Sequence, residues 1–319
     1  MDIKNELIEK YQVRKSKKQK QLFADYVKKI AKSNNLPVKE EYTPGLVTSC
    51  NLIVGEPDKA DVIFTAHYDT CAAALFPNFV MPTNFFSFLL SQIILLVVVL
   101  GVPFLLGVVV FMITGSAPNG ITVWYVLFLL LVIQMICGIP NPHTANDNTS
   151  GVAALLYIMT TMPQDAKLKP AFVFFDNEEL GLVGSSGFFK AHKKHMRTKL
   201  VINFDCVGDG NTIFTVFKRQ TQKDPMAAAF IDSLTACAQK RGKSMLCKKS
   251  TSAIYPSDQM RFPNSIGIAA LRRNPLLGYY MGRIHTPWDT VCDDGNLELI
   301  TEAAIQFLTK SENPTNPQA

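Results

Sequence analysis

Val62-Ile63-Phe64-Thr65-Ala66 runs directly into His67-Tyr68-Asp69. A short β-prone apolar run thus ends in an imidazole and a carboxylate. Such runs, apolar on both faces, belong to parallel strands buried between helices. In open α/β sheets, ligands bind at the carboxyl ends of strands. The pattern recurs in Phe172-Val173-Phe174-Phe175, which leads into Asp176-Asn177-Glu178-Glu179, and in Val201-Ile202-Asn203-Phe204, which leads into Asp205. Asn51–Val54 and Ile266–Leu271 are further strand-like runs. Helical patterns lie between them, over Val152–Met162, around Leu182–Lys193, over Asp224–Arg241 with Asp224 at the N-cap, and over Leu297–Lys310. The fold class expected is α/β, a mixed, mostly parallel central sheet flanked by helices.

Two more polar groups join this set. Asp147 sits at the mouth of a helix in Asn146-Asp147-Asn148-Thr149-Ser150-Gly151, and His285 in the loop His285-Thr286-Pro287-Trp288-Asp289. Imidazole and carboxylate together suit Zn²⁺, and a pair of ions about 3.5–4 Å apart needs a bridging carboxylate. His67 and Asp69 are two apart on an extended segment, so Asp69 can orient the His67 ring. Adjacent Glu178 and Glu179 allow one to bind metal and the other to act as a base. Each element alone is weak, since a single HxD or Glu-Glu pair arises often by chance. The ordered set, each member at a strand or helix end, is far more specific.

Charge is distributed unevenly. Charged residues make up 18% of the 319, below the usual value of about 25%. From Thr70 to Asn146 there is no Asp, Glu, Lys or Arg at all. Phe85–Ile113 and Ile121–Ile139 are apolar runs, with the turn-like Thr114–Gly120 between them. A spanning helix needs about 20 apolar residues, so both runs qualify, the first, being long, expected to tilt, to kink near Gly101 and Pro103, or to start late. Residues 85–139 are therefore expected to form a transmembrane hairpin contacting the lipid bilayer. They would interrupt a discontinuous domain of residues 1–84 and 140–312, which ends in a flexible tail over 313–319. The remainder is normally charged and apolar-rich, which excludes a disordered chain, and seven cysteines are too few for a disulfide scaffold.

Orientation follows from charge. Residues 1–35 carry ten basic and four acidic side chains, as large an excess as the net +6 of the whole chain. That excess, the polar start Met1–Glu6 and the odd cysteine count point to an inner, cytoplasmic membrane with the domain facing the cytoplasm. The cluster Arg14, Lys15, Lys17, Lys18 and Lys20 reads as the solvated face of a helix whose apolar side is Leu22, Phe23, Val27 and Ile30, or as a contact with anionic lipid. No nucleic-acid partner is expected, for want of aromatic interleaving or a recognised motif.

His67-Tyr68-Asp69, Asn146–Gly151, Asn177-Glu178-Glu179-Leu180-Gly181, Asn203-Phe204-Asp205 and His285–Thr290 together resemble the zinc aminopeptidases of metallopeptidase family twenty-eight, clan MH. The resemblance covers nearly the whole chain outside the hairpin. It implies two Zn²⁺ ions bridged by Asp147, with His67 and Asp205 completing one ligand set and Glu179 and His285 the other. It further implies that Glu178 is the general base on a metal-bound water and that Asp69 holds His67. Tyr255-Pro256-Ser257-Asp258-Gln259 resembles the family's Ser-Asp loop, which would place Tyr255, Ser257 and Asp258 near substrate, Tyr255 as an oxyanion donor. Met260, Phe262, Leu276, Leu277, Tyr279, Tyr280 and Met281 are candidates for an apolar specificity pocket or for core. The departure is the hairpin: His67 and Asp147 stand 80 residues apart, where soluble relatives have a short connection.

The leading expectation is a membrane-anchored zinc exopeptidase cutting peptides at a chain end, most simply an aminopeptidase. The competing readings are a catalytically silent membrane scaffold on the same fold, and a one-metal glutaminyl-cyclase-like or deacylating amidohydrolase.

Overall fold

Apolar runs become strands and the amphipathic stretches between them become covering helices. The computed structural model describes residues 2–45, 47–74, 76 and 79–310; the expected tail over 313–319 lies outside them. Helices α1 (Ile3–Lys10) and α2 (Lys17–Ser33) precede strands β1 (Val38–Thr43), β2 (Ser49–Val54) and β3 (Val62–His67). The apolar helices α3 (Phe85–Thr114) and α4 (Ala117–Cys137) follow. After them come α5 (Gly151–Thr161), β4 (Pro170–Phe175), α6 (Val183–Ala191), α7 (Lys193–Met196), β5 (Leu200–Phe204) and β6 (Thr212–Phe217). Helix α8 (Pro225–Lys240), strands β7 (Ser244–Lys249), β8 (Ser265–Asn274) and β9 (Gly278–Tyr280), and helix α9 (Asp294–Thr309) complete the chain.

The sheet runs β1-β2-β4-β3-β5-β8-β6-β7, with β9 paired to β8. Its centre, β4-β3-β5-β8, is parallel throughout. Antiparallel pairings flank that centre, at β1-β2-β4 on one side and β8-β6 on the other. Alternate residues divide the core. Phe64 and Phe172 pack with Phe23, Leu155, Phe230 and Phe307 under α2, α5, α8 and α9. Ile63, Val173 and Phe175 pack with Phe188 and Phe262 under α6. At β3, β4 and β5 the carboxyl ends therefore stand side by side, and they carry His67, Asp176 and Asp205.

The N-terminal basic segment departs from expectation. Helix α2 begins only at Lys17, capped by Ser16 and Gln19 in a reciprocal capping box. Phe23, Val27 and Ile30 form its buried side, but Leu22 faces outward. Arg14 precedes the helix and is fully buried. Its guanidinium donates to the carbonyls of Tyr68 and Tyr11 and to Thr149 Oγ1. It is thus neither a solvated nor a lipid-facing group: it ties the N-terminal segment to the backbone beside His67 and to the start of α5.

Helices α3 and α4 pack on each other as a hairpin. The turn is shorter than expected, because α4 already begins at Ala117, with Pro118 in its first turn. At the crossing, a Cβ on Gly107 would lie 2.7 Å from the Gly120 carbonyl, and one on Gly120 equally close to that of Gly107. Only glycine permits this approach. At about 1.5 Å per residue, α3 and α4 are about 45 and 32 Å long. Their flanks expose Phe86, Leu105, Met112, Ile113 and Ile133.

His192, after α6, accounts for a pH-dependent contact. Its Nδ1 lies 2.9 Å from Asp58 and its Nε2 3.0 Å from Glu41, clipping α6 to β1 and to the loop before β3. The hydrogen bond with Glu41, then that with Asp58, raises the imidazole above 6.5 against the effect of burial. A group raised on folding stabilises fully below its unfolded value and ceases to do so as pH climbs through the folded one. Glu41 and Asp58 are both lowered, so they stay ionised across that window. His192→Gln is expected to lower Tm more at about pH 5.5 than at about pH 9. A decrement that does not change between these two values would show that the ion pairs contribute nothing.

Candidate active site

The strand ends converge on one buried acidic cluster. His67 ends β3, with Nε2 at 3.2 Å from Asp147 Oδ1 and 3.5 Å from Asp205 Oδ1. His285 Nε2 lies 2.9 Å from Asp147 Oδ2 and 3.4 Å from Glu179 Oε2. The two oxygens of Asp147 therefore face two different imidazoles, each with a second carboxylate beside it. Glu178 lies with His67 and Glu179, their ligand atoms within 4.8 Å of one another.

Backbone contacts hold these groups in place. Asp69 Oδ1 accepts from the Glu178 amide and Oδ2 from the Glu179 amide, so one carboxylate grips both glutamates. Asp69 also stands 3.5 Å from His67 Nδ1, too long for a good hydrogen bond. Lys20 Nζ donates to Asp176 and to Asn177 Oδ1, bracing the turn before Glu178. Asn148 donates to the carbonyls of His67 and Phe204 and accepts from the amides of Gly151 and Cys206, joining β3, β5 and α5. Asp289 accepts from the amides of Asn146 and Asp147. Asn177, Cys206 and His285, all adjacent to or among the ligand candidates, have positive φ. Backbone strain of this kind gathers at functional sites.

Lys20, Asn148 and Asp289 carry positioning roles that the sequence did not assign. Asn148 and Asp289 sit inside motifs already singled out, but their partners are backbone amides and carbonyls that only the fold brings near.

The electrostatics favour a cation. Asp69, Asp147, Glu178, Glu179, Asp205 and Asp258 surround His67 and His285. Burial, reinforced by Glu179, Asp258 and Asp205, pushes the Glu178 carboxyl well up. Burial likewise raises Glu179 and Asp258 to about 7. Burial opposes the charging of His285, but Glu179 and Asp147 outweigh it and raise the ring to about 10. The His67 ring is also raised well above its usual value, by Asp147, Asp205 and Asp69 against burial. Asp258 has no hydrogen-bond partner on either oxygen among the described residues, and His67 Nδ1 has none. This mixed nitrogen and oxygen donor set, rich in negative charge and buried, fits zinc.

Residues 134–308 match the model of peptidase family M28. The chain belongs to that family. The match begins on the second leg of the hairpin and so takes in Asp147, Glu178, Glu179, Asp205 and His285. His67 and Asp69 lie before it, and the parallel pairing of β3 with β4 and β5 brings them to the same site. A comparison with curated proteins gave no match. Solved structures with the same fold include a glutaminyl cyclase of Porphyromonas gingivalis, 16% identical over 96% of this chain and 95% of that one, TM-score 0.62. A Zn-dependent exopeptidase of Parabacteroides distasonis is 16% identical over 97% and 96%, TM-score 0.61. The aminopeptidase LapA of Legionella pneumophila is 14% identical over 97% and 71%, TM-score 0.57.

The M28 core places the remaining candidates as follows. Tyr255 is buried and its hydroxyl donates to the Asp205 carbonyl, so that proton is already engaged. Ser257 Oγ accepts from Asn203. The aromatic and aliphatic pocket candidates do not assemble into one pocket. Phe262 is buried against Phe175 and Phe188, Met281 packs with Tyr255, and Leu276 is 87% exposed. Two hollows adjoin the site instead. A cleft of about 650 Å³ borders Asp69 and Glu179 and is rimmed by Lys15, Lys17 and Lys20. A smaller cavity of about 130 Å³ lies between His285, Phe79 and the α3 and α4 side chains Leu95, Leu131 and Met135.

Proposed function

We propose that this M28 protein is a membrane-anchored, di-zinc aminopeptidase with Glu178 as its general base. The observation that carries the reading is the divided Asp147 carboxylate. One oxygen faces His67 and Asp205, the other His285 and Glu179. That arrangement supports two ions rather than one and weighs against the one-metal cyclase reading. A complete ligand set weighs against the silent scaffold.

When bound, zinc ions polarise the scissile carbonyl and lower the pKa of the attacking water. Glu178, half-buried and with its carboxyl raised, takes the proton of that water and passes it to the departing amine. Asp69 keeps Glu178 and Glu179 in register through their amides.

Residues 85–139 form the anchor in this reading, inserted in a domain made of 1–84 and 140–312. Its support is length, apolarity and outward-facing side chains: soluble proteins rarely expose apolar patches beyond a few hundred Å². The basic excess of the N-terminal segment supports a domain on the cytoplasmic side in this reading. The cavity from His285 to α3 and α4 favours substrates close to the bilayer, such as remnants of membrane peptides.

A panel of free-amine and N-blocked chromogenic peptides, with and without zinc, tests the activity. Zinc-dependent cleavage of free-amine substrates alone is expected. Cleavage of blocked peptides from the carboxyl end would overturn the aminopeptidase assignment, and a protein that takes up no zinc would leave the scaffold. The hairpin is tested by deletion. The chain entering the hairpin runs beside the chain leaving it, where the Ala73 amide donates to the Ile139 carbonyl at 2.8 Å, so a short linker can rejoin the two. The shortened protein is expected to dissolve without detergent, to cleave short soluble peptides, and to lose ground on membrane-bound ones. Unchanged relative rates on all peptides would remove the bilayer-near substrate.

A further inference from the structure

The loop leaving the HxD motif carries a buried thiol that the mechanism does not use. Cys71 is a free cysteine, 3% exposed. Its Sγ, a carboxylate oxygen of Glu179 and a ring nitrogen of His285 all lie within 4.8 Å of one another. Tetrahedral zinc, with Zn–S near 2.3 Å and Zn–N or Zn–O near 2.0–2.2 Å, fits within such a spread. The thiol is also fixed in place. The Cys71 carbonyl accepts from the Asn141 amide, Ala72 pairs with Pro140, and the Ala74 amide donates to the His285 carbonyl. The backbone that positions the sulfur is thus tied to the segment leaving the second hairpin leg and to His285 itself.

We propose that Cys71 is a metal ligand, its thiolate joining Asp147, Glu179 and His285 on one of the two zinc ions. This rests on the di-zinc reading above. On binding, the thiol gives its proton to solvent and the sulfur lone pair forms the bond to zinc. The two positions then differ in kind. One has four protein ligands including a soft sulfur, which favours zinc over magnesium or manganese. The other, with His67, Asp147 and Asp205, has three and keeps an open place for substrate. Cys206, whose Sγ lies 3.1 Å from Asp205 Oδ1, is the nearby sulfur that serves as control.

X-ray absorption on the full-length, zinc-loaded protein in detergent reads the sulfur directly. One sulfur shared over two ions gives an average of about half a sulfur per zinc at about 2.3 Å. The cobalt-loaded protein should show a near-ultraviolet thiolate-to-metal charge-transfer band. Both signals are expected to vanish in Cys71→Ser and to persist in Cys206→Ser. Competition with a chelator should show Cys71→Ser releasing one of its two ions at least tenfold more readily than the wild type. Two bound zinc ions with nitrogen and oxygen neighbours alone would overturn the proposal and leave the di-zinc peptidase standing. A sulfur signal lost in Cys206→Ser but kept in Cys71→Ser would overturn it as well. A chain that binds no zinc at all would bring down the peptidase reading with it.

Discussion

Glu178→Gln is expected to keep its zinc and to lose hydrolysis. The amide is the same size as the carboxylate, and the Glu178 backbone amide stays bonded to Asp69 Oδ1 at 2.9 Å. The metal-facing pairs of His67, Asp147, Asp205, Glu179 and His285 do not involve the Glu178 side chain. What disappears is the proton acceptor. A positioned general base contributes about 10²–10⁴ in rate, so kcat should fall by that factor, equivalent to about 2.7–5.5 kcal/mol of barrier. Metal analysis and peptide turnover on the same preparation check the prediction. Turnover within a few-fold of wild type would remove Glu178 as the base, whereas loss of metal would make it a ligand.

The second large effect is expected at Asp147. Its two oxygens face His67 and His285, so a single substitution reaches both halves of the site. In Asp147→Asn one oxygen becomes an amide nitrogen that cannot bind a cation, and the negative charge is lost. Zinc content should drop from two ions to less than one, with activity at least about 10³-fold down. Asp69→Asn offers a contrast. It touches the ligands only through the Glu178 and Glu179 amides and the His67 ring, and changes to such supporting groups typically cost about 10–100-fold. Equal losses in the two variants would show that Asp147 does not bridge.

The site was readable in advance because its members terminate strands. β3, β4 and β5 were visible as unbroken apolar runs, and a run that stops at His67, Asp176 or Asp205 leaves that side chain at the sheet's carboxyl edge. Other strands offered less. β1, with Lys39, Glu40 and Glu41, and β7, with Lys248 and Lys249, have few apolar residues and lie at the sheet's two margins, half open to solvent. β6 is buried but ends in no ligand, so nothing in it pointed to the chemistry. Arg14 was misjudged because four lysines surround it in sequence. Its burial is fixed by carbonyls of Tyr11 and Tyr68, which tertiary structure alone places there. Phe262 and Met281 could not be told from pocket residues, since side chains of that kind fill cores and pockets alike.

The pairing of the two hairpin legs beside the metal site also imposes an order on biosynthesis. His67 emerges from the ribosome 80 residues ahead of Asp147, and from Thr70 to Asn146 the chain between them carries no Asp, Glu, Lys or Arg. At about 5–20 residues per second, that interval lasts roughly 4–16 s. In the membrane-anchored reading, α3 and α4 enter the bilayer during those seconds, and only afterwards can Asp147 meet His67. In that reading, insertion of the hairpin precedes assembly of the catalytic centre, because the chain supplies Asp147 only after both apolar helices have been made.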